Sequence, residues 1–215
     1  MQGLNLPRVY PILDTTALEA RGLTLDAAAE PFLEGGARIL QIRHKAHWSR
    51  AVFESAGRVA ALCRSSGAQL IVNDRADFAM LLHAGLHVGQ DDLAPGDARR
   101  LIGASVVLGF SSHNAEQILA AAAEPVDYVA LGPVFATSSK QRLDPVVGVE
   151  ALRRLRGDTA KPLVAIGGIT LENALEVWRA GADSIALIAG LLPEPATART
   201  LRERMEQWRK LATQV

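Results

Sequence analysis

The sequence has very little cysteine and no excess of charge of either sign. Cys63 is the single cysteine among 215 residues, so the chain can form neither an internal disulfide nor a zinc site built from paired cysteines. The 23 Lys and Arg residues equal the 23 Asp and Glu residues in number, and they are scattered along the chain. A chain of this kind lacks the basic surface that binds nucleic acid or an anionic membrane. We expect neither partner.

Long apolar runs are also absent. Nowhere do roughly 18 apolar residues follow one another, as a membrane-spanning helix requires. Residues 1–7 lack the basic and apolar regions of an export signal, and we therefore expect a cytoplasmic protein. The length fits one domain over residues 1–215, with no Pro/Ser-rich linker to divide it. The sequence leaves the oligomeric state open, a homo-oligomer included.

Short apolar or β-branched runs alternate with longer amphipathic segments along the whole chain. The predicted strands are residues 9–13, 39–43, 70–73, 86–88, 106–109, 128–131, 163–166 and 184–187. The predicted helices are residues 24–33, 49–65, 76–83, 95–102, 114–123, 149–155, 171–180 and 196–211. Strands too apolar to have a wet face, each followed by a helix, favour an α/β fold that closes on itself, a single-domain (β/α)8 TIM barrel. A doubly wound open sheet is the alternative.

In such a barrel the active site lies at the carboxyl ends of the strands, and strand 2 ends in Gln41, Arg43 and Lys45. These three alternate with other residues, so a continuing strand would turn all of them toward the mouth of the barrel. Two cations and an amide at that place suit an anion such as a phosphate. The alternative is a solvated strand end with Arg43 paired to a neighbouring carboxylate.

Asp74 and Asp92 directly follow the predicted strands 3 and 4. Mg²⁺ prefers oxygen ligands and commonly binds one or two protein carboxylates together with substrate phosphates. The two aspartates therefore predict a magnesium site facing a phosphorylated substrate. The alternative is that Asp74 caps the helix predicted from residue 76 and Asp92 shapes a turn.

Two further segments are typical of phosphate binding. Gly167 and Gly168 follow strand 7, where backbone amides at a helix start can approach an oxyanion, and Ala189 follows strand 8. A plain tight turn is the alternative there. The long segment 132–148 carries hydroxyls and cations and predicts a lid over a phosphate, with a loose surface loop as the alternative.

An ordered set of short motifs spans nearly the whole chain. The set comprises Tyr10-Pro-Ile-Leu-Asp14, Gln41-Ile-Arg-His-Lys45, Ile71-Val-Asn-Asp74, His87-Val-Gly-Gln-Asp-Asp92, Gly132-Pro-Val-Phe-Ala-Thr-Ser-Ser-Lys140, Ile166-Gly-Gly-Ile-Thr170 and Ala180-Gly-Ala-Asp183. This set resembles the thiamine-phosphate synthase family. The resemblance implies a (β/α)8 transferase that acts on small phosphorylated molecules. Such an enzyme joins 4-amino-5-hydroxymethyl-2-methylpyrimidine diphosphate to thiazole phosphate with Mg²⁺, forming thiamine phosphate and releasing diphosphate.

The resemblance also implies a role for each matching residue. The implied contacts of the pyrimidine diphosphate are Gln41, Arg43, Lys45, Asn73, Ser111 and Lys140, of which Arg43, Lys45 and Lys140 would stabilise the leaving diphosphate. The implied contacts of the thiazole phosphate are Thr137, Ser138, Ser139, Gly168, Ile188 and Ala189. Asp74 and Asp92 are the implied Mg²⁺ ligands.

The chain departs from the usual family pattern at four positions, with Ala136 in place of proline, Ser139 of threonine, Ala189 of serine and His44 of glutamate. Ser139 keeps a hydroxyl, whereas Ala189 leaves only its backbone N–H for a phosphate. The related thiazole tautomerase would carry a histidine where Pro133 stands. A tautomerase-like enzyme and a non-catalytic phosphometabolite-binding barrel are the alternative functions.

Overall fold

The computed structural model describes residues 5–137 and 145–215. Eight parallel strands pair in chain order, and the last pairs with the first, so the sheet closes into a barrel. The strands are β1 (Val9–Asp14), β2 (Ile39–Arg43), β3 (Gln69–Asn73), β4 (Gly85–Val88), β5 (Leu108–Ser112), β6 (Tyr128–Leu131), β7 (Leu163–Ile166) and β8 (Ser184–Leu187). The predicted (β/α)8 barrel is confirmed, and the open sheet is wrong.

Helices follow the strands and cover the outside of the barrel. In the described residues they are α1 (Thr15–Glu19), α2 (Leu25–Glu34), α3 (Arg50–Ser66), α4 (Ala76–Leu81), α5 (Pro95–Ile102), α6 (Ala115–Ala123), α7 (Val149–Leu155), α8 (Ala174–Arg179) and α9 (Ala198–Ala212). Short 3-10 turns occupy Arg156–Asp158 and Ala189–Leu191. The sequence predicted all of these helices except α1. No helix of the described segments is long and apolar enough to cross a membrane.

Several predicted boundaries differ from the structure by one to three residues, and β5, α4 and α8 are examples. Strand β5 begins at Leu108 and extends to Ser112, because its pairing with β6 continues from Gly109 to Ser112. Helix α4 ends early, and His83 beyond it takes a left-handed φ of 53°. Helix α8 starts only at Ala174, because the Asn173 side chain accepts from the Thr170 amide and donates to the Gly168 carbonyl, which holds a turn ahead of the helix.

Side chains from alternate strand positions form two apolar layers. One side of each strand packs against the helices in a large outer core, to which Leu13, Ile42 and Val72 belong. The other side fills the barrel interior. The interior cluster is made of Leu6, Tyr10, Ile12, Ile39, Ile71, Tyr128, Ala130, Val164 and Ala186. Because this cluster fills the barrel, the interior has no room for a ligand, and the predicted site would lie at the mouth above the cluster.

Gly109 makes room for an aromatic pair inside the barrel. The rings of His87 and Tyr128 stack with centroids 5.5 Å apart. A Cβ atom at position 109 would lie 2.1 Å from Tyr128 Cζ and 2.4 Å from His87 Nδ1. Only glycine fits at this place without displacing one of the two rings.

We expect Gly109→Ala to lower the free energy of unfolding by about 1–3 kcal/mol, the usual cost of overpacking a filled interior. Gly57→Ala is the control, because a Cβ in the middle of α3 would meet nothing within 4 Å. The control should be neutral or stabilising by up to about 1 kcal/mol. Urea unfolding of both variants measures the difference, and equal stabilities would contradict the packing described.

Candidate active site

The end of β2 places three predicted residues at the mouth of the barrel. Gln41 is buried, Arg43 is half-buried and Lys45 is exposed. The register pairs Gln41 with Ile12 and Arg43 with Asp14 on β1. Strand β2 ends at Arg43, so Lys45 lies beyond the strand on the rim, yet its ammonium still reaches the end of β3.

Arg43 forms an ion pair with Asp14 at the end of β1. The Asp14 carboxylate is buried, and its second oxygen accepts from the Ala17 amide at 3.0 Å, which caps α1. Asp14 therefore anchors both α1 and the Arg43 guanidinium. This pairing is the alternative that the sequence left open for Arg43, and it also fixes where the guanidinium sits in the mouth.

Asp74 and Asp92 meet at the ends of β3 and β4. The Asp74 carboxyl group lies beside that of Asp92, and Lys45 Nζ lies 2.5 Å from Asp74 Oδ2. Burial, reinforced by the neighbouring Asp92, raises the pKa of Asp74 to about 6 despite the Lys45 ammonium. Ionisation of both carboxyl groups is unfavourable, because two negative charges repel each other at this distance. Lys45 supplies one positive charge to the two carboxyl groups, so a further cation between them would favour the ionised form of both.

The carboxyl pair has the donor chemistry of a magnesium site. Its oxygen ligands suit Mg²⁺, which would complete its shell with waters and substrate phosphates. Within residues 5–137 and 145–215 no group of three or more His, Cys, Asp or Glu side chains is placed to hold a metal, so protein ligands alone would not enclose the ion.

The sequence left open that Asp74 caps a helix and that Asp92 shapes a turn, and the structure supports only the role of Asp92. Asp74 does not cap α4, whose N-cap residue is Arg75 without a side-chain cap hydrogen bond. Instead Asp74 has a left-handed φ of 66°, an uncommon conformation for a residue other than glycine. Asp92 does shape its turn, because Oδ2 accepts from the Gly89 amide at 2.7 Å.

The neighbouring strands place Asn73 and Ser111 on the same side of the site. Asn73 is a buried residue at the end of β3, paired in register with His87 of β4. Ser111 is half-buried on β5, and its hydroxyl lies 2.9 Å from His87 Nε2. Both predicted contacts of the pyrimidine diphosphate therefore lie next to His87.

The turn after β7 forms the far side of the mouth. Gly168 has a left-handed φ of 63°, and the amides of Gly168 and Ile169 have no acceptor among the described residues. Ile188 packs on the interior cluster, and the exposed Ala189 begins the 3-10 turn after β8. The two turns are close, because a side chain at Gly190 would lie 3.2 Å from the Ile169 carbonyl oxygen.

The segment between β6 and α7 is described only at its two ends. Its first part is tied to β7, since the Val134 amide donates to the Ile166 carbonyl at 2.9 Å and the Phe135 amide donates to the Gly167 carbonyl at 3.0 Å. Thr137 is half-buried at the end of this part. The predicted residues Ser138, Ser139 and Lys140 lie outside the described residues.

Sequence reasoning missed several polar residues that the fold brings to the site. Asp14, Tyr10 and Tyr128 received no role, although each stands where an inward-facing position would be expected from the alternation along its strand. His87 Nδ1 lies 3.0 Å from the Tyr128 hydroxyl, and His87 Nε2 lies 2.9 Å from the Ser111 hydroxyl. The alternation of inward-facing and outward-facing residues along each strand is the sequence signal that could have identified these residues.

Comparison with known proteins gives one consistent result. The family model described as thiamine monophosphate synthase matches residues 9–191. A thiamine-phosphate synthase of Koribacter versatilis is 46% identical over 196 residues, which cover 90% of this chain and 92% of that protein. One of Chloroflexus aurantiacus is 41% identical over 199 residues, 91% of each chain. The solved thiamine phosphate pyrophosphorylase from Pyrococcus furiosus superposes with a TM-score of 0.84 at 31% identity, covering 96% of each chain.

Proposed function

The chain belongs to the thiamine monophosphate synthase family, and on this premise we propose that it is a transferase that makes thiamine phosphate. Its substrates would be 4-amino-5-hydroxymethyl-2-methylpyrimidine diphosphate and thiazole phosphate, and its second product would be diphosphate. A cytoplasmic location is part of the proposal, supported by a chain whose one cysteine, Cys63, is buried and free.

The observation that carries the proposal is the meeting of two cations and two carboxyl groups at one edge of the barrel mouth. Arg43 and Lys45 come from the end of β2, while Asp74 and Asp92 come from the ends of β3 and β4. A diphosphate offers charges for the cations and oxygens for a shared metal ion. The same arrangement suits an uncharged ligand poorly, because such a ligand offers neither negative charge to the cations nor charged oxygens to a shared metal ion.

The reaction breaks the bond between the pyrimidine methylene carbon and the diphosphate oxygen, and it forms a bond from that carbon to the thiazole nitrogen. The leaving diphosphate takes the electron pair of the broken bond. An electron-rich aminopyrimidine stabilises a cation at the methylene carbon, so we propose a dissociative path. No protein nucleophile is needed. The site then works by holding the two substrates in line and by neutralising the charge that develops on the leaving group.

Different residues of this chain would bind the diphosphate, the metal ion and the thiazole phosphate. Arg43, held by Asp14, and Lys45 on the rim would contact the diphosphate, and Lys140 would add a third positive charge, as the family motif implies. Asp74 and Asp92 would hold Mg²⁺, which supplies charge neutralisation to the diphosphate when it is bound. The thiazole phosphate would lie across the mouth, against the amides of Gly168 and Ile169 and the turn at Ala189.

We expect Gly168→Ala to weaken the binding of thiazole phosphate about tenfold or more while sparing the pyrimidine diphosphate. The substitution places a Cβ at a left-handed φ, 2.5 Å from the Ala136 carbonyl oxygen and 2.7 Å from Phe135 Cβ. It therefore strains the turn and displaces the segment that leads to Thr137. A conformational penalty of about 1–2 kcal/mol corresponds to such a change in affinity.

Gly67→Ala is the matched control for this prediction. Gly67 has nearly the same φ, +64°, but a Cβ there meets nothing within 4 Å, so it reproduces the backbone strain without the steric contact. Titration calorimetry with each substrate separates the two pockets. If Gly168→Ala weakened the pyrimidine diphosphate and spared the thiazole phosphate, the two pockets would have to be exchanged.

The proposed function is tested by incubating the purified protein with both substrates in the presence of Mg²⁺ and measuring thiamine phosphate by chromatography. We expect product only when both substrates are present, and we expect a chelator to abolish it. Failure to form thiamine phosphate from the two substrates would overturn the proposal.

A further inference from the structure

Five polar side chains from five strands form one continuous chain of hydrogen bonds through the barrel. In order along this interior chain, its members are Gln41, Tyr10, Tyr128, His87 and Ser111. The four links measure 3.0, 2.9, 3.0 and 2.9 Å. All members except the half-buried Ser111 are buried. Buried polar groups are costly when they lack partners, so a fully connected chain fixes the arrangement of every member.

Both ends of the interior chain point to the mouth of the barrel. Gln41 pairs in register with Ile12, so Tyr10 lies one inward-facing position deeper than Gln41. Tyr128 and His87 both pair with Gly109, and Ser111 is the next inward-facing residue of β5 above Gly109. The chain descends from Gln41 to the two tyrosines and His87, and it rises again to Ser111. Its two ends are the residues that we assign to the pyrimidine substrate.

The interior chain has one direction. The Gln41 amide nitrogen donates to the Tyr10 hydroxyl, and burial raises the pKa of both phenols above the ordinary value, so each keeps its hydrogen. A phenol has a single hydrogen. The buried Tyr10 hydrogen needs an acceptor, and among the described contacts the Tyr128 oxygen is the one within its reach, which makes Tyr10 the donor to Tyr128 and directs the single Tyr128 hydrogen to His87 Nδ1. His87 is then neutral with its hydrogen on Nε2, which donates to Ser111 Oγ.

We propose that Tyr10, Tyr128 and His87 are positioning residues that set the hydrogen-bond polarity at both ends of the chain and thereby select an aminopyrimidine. Because Ser111 accepts from His87, its own hydrogen is directed to an acceptor of the ligand. Because Gln41 donates to Tyr10, its carbonyl oxygen is left to accept from the ligand. An aminopyrimidine offers an amino donor and ring-nitrogen acceptors, whereas the corresponding oxo compound exchanges an acceptor for the donor and carries a ring N–H.

The tautomer of His87 tests the direction of the interior chain without any substrate. Nitrogen-15 NMR of the imidazole rings, assigned with the His87→Gln variant, should show His87 of the wild-type protein as the Nε2–H tautomer at neutral pH. Tyr128→Phe removes the donor to Nδ1 and should produce a mixture with the Nδ1–H form. A wild-type His87 protonated on Nδ1 would overturn the inferred direction.

Kinetics test the consequence for the substrate, and this part rests on the proposed function. Loss of one neutral hydrogen bond is expected to raise KM for the pyrimidine diphosphate about tenfold in Tyr128→Phe, with KM for thiazole phosphate unchanged. Preference for the amino substrate over its oxo analogue should fall by a similar factor. A merely structural role for Tyr128 would instead change both KM values together.

A double-mutant cycle shows whether Tyr128 acts through Ser111. In a Ser111→Ala background, the effect of Tyr128→Phe on KM should be clearly smaller than in the wild-type protein, because the Ser111 end of the chain is already gone and only the Gln41 end can still respond. In a Ser112→Ala background the full effect should persist, because the buried Ser112 hydroxyl faces the other side of β5 and has no hydrogen-bond partner among the described residues. A full effect of Tyr128→Phe in both backgrounds would refute the proposal.

A wild-type protein that turns over no pyrimidine diphosphate would refute the proposed function, while the His87 tautomer would still decide the direction of the chain.

Discussion

Replacing Asp92 with asparagine is expected to lower turnover about 100-fold and to raise the Mg²⁺ concentration needed for half-maximal rate. Asparagine keeps the size of the side chain and an oxygen that can accept from the Gly89 amide, the contact that Asp92 makes in the turn after β4. It removes the negative charge beside Asp74. A metal ion that neutralises a leaving diphosphate contributes several kcal/mol to the transition state, and about 1.4 kcal/mol corresponds to a factor of ten in rate.

Asp91→Asn is the matched control for this experiment. Asp91 is the adjacent residue, it carries the same charge and it is exposed. Its replacement should leave both the rate and the Mg²⁺ dependence close to the wild-type values. Turnover measured across a range of Mg²⁺ concentrations compares the two variants. If Asp92→Asn kept the wild-type rate and Mg²⁺ dependence, Asp92 could not be a ligand of the catalytic metal.

Lys140→Met is expected to lower the rate of the chemical step on the order of 100- to 1000-fold, the usual cost of losing one donor that acts on charge developing in the transition state. Lys140 lies outside the described residues, and its role is proposed from the family motif that ends at this position. Methionine keeps most of the apolar stem and deletes the charge. Substrate binding should weaken only modestly, because Arg43, Lys45 and the metal ion share the diphosphate before the bond breaks.

Arg142→Met provides the comparison, because Arg142 is a cation of the same segment that the family motif does not include. Single-turnover rates and the binding of the pyrimidine diphosphate are measured for both variants. We expect a large loss of rate for Lys140→Met and a small one for Arg142→Met. Equal small losses would mean that the segment only covers the site and that Lys140 has no specific part in stabilising the leaving group.

The sequence predicts the barrel well because its strands are short apolar runs that a parallel sheet buries on both faces. The prediction is poor where contacts between residues that are distant in the sequence determine the boundary of an element. The apolar pair Val106 and Val107 suggests an early start for β5, whereas the strand begins at Leu108, whose amide donates to the Asp127 side chain. Helix α1 was missed because it has only five residues, too few to show a helical period.

For the same reason, the sequence predicts only part of the candidate site. The positions of Arg43, Asp74 and Asp92 follow from strand ends, which a period of two and the turn residues reveal. Their partners do not follow, because the pairing of Asp14 with Arg43 depends on which strands are neighbours. The two tyrosines of the interior chain look like ordinary strand residues, and only the closed barrel brings their hydroxyls to within 2.9 Å of each other.

The most direct test of the account is a single-turnover reaction with the protein in excess over the pyrimidine diphosphate, followed by phosphorus-31 NMR. We expect thiamine phosphate and diphosphate in equal amounts, formed only when thiazole phosphate and Mg²⁺ are both present. Isomerisation of a thiazole phosphate without any need for the pyrimidine substrate, or tight binding of both substrates with no diphosphate released, would contradict it.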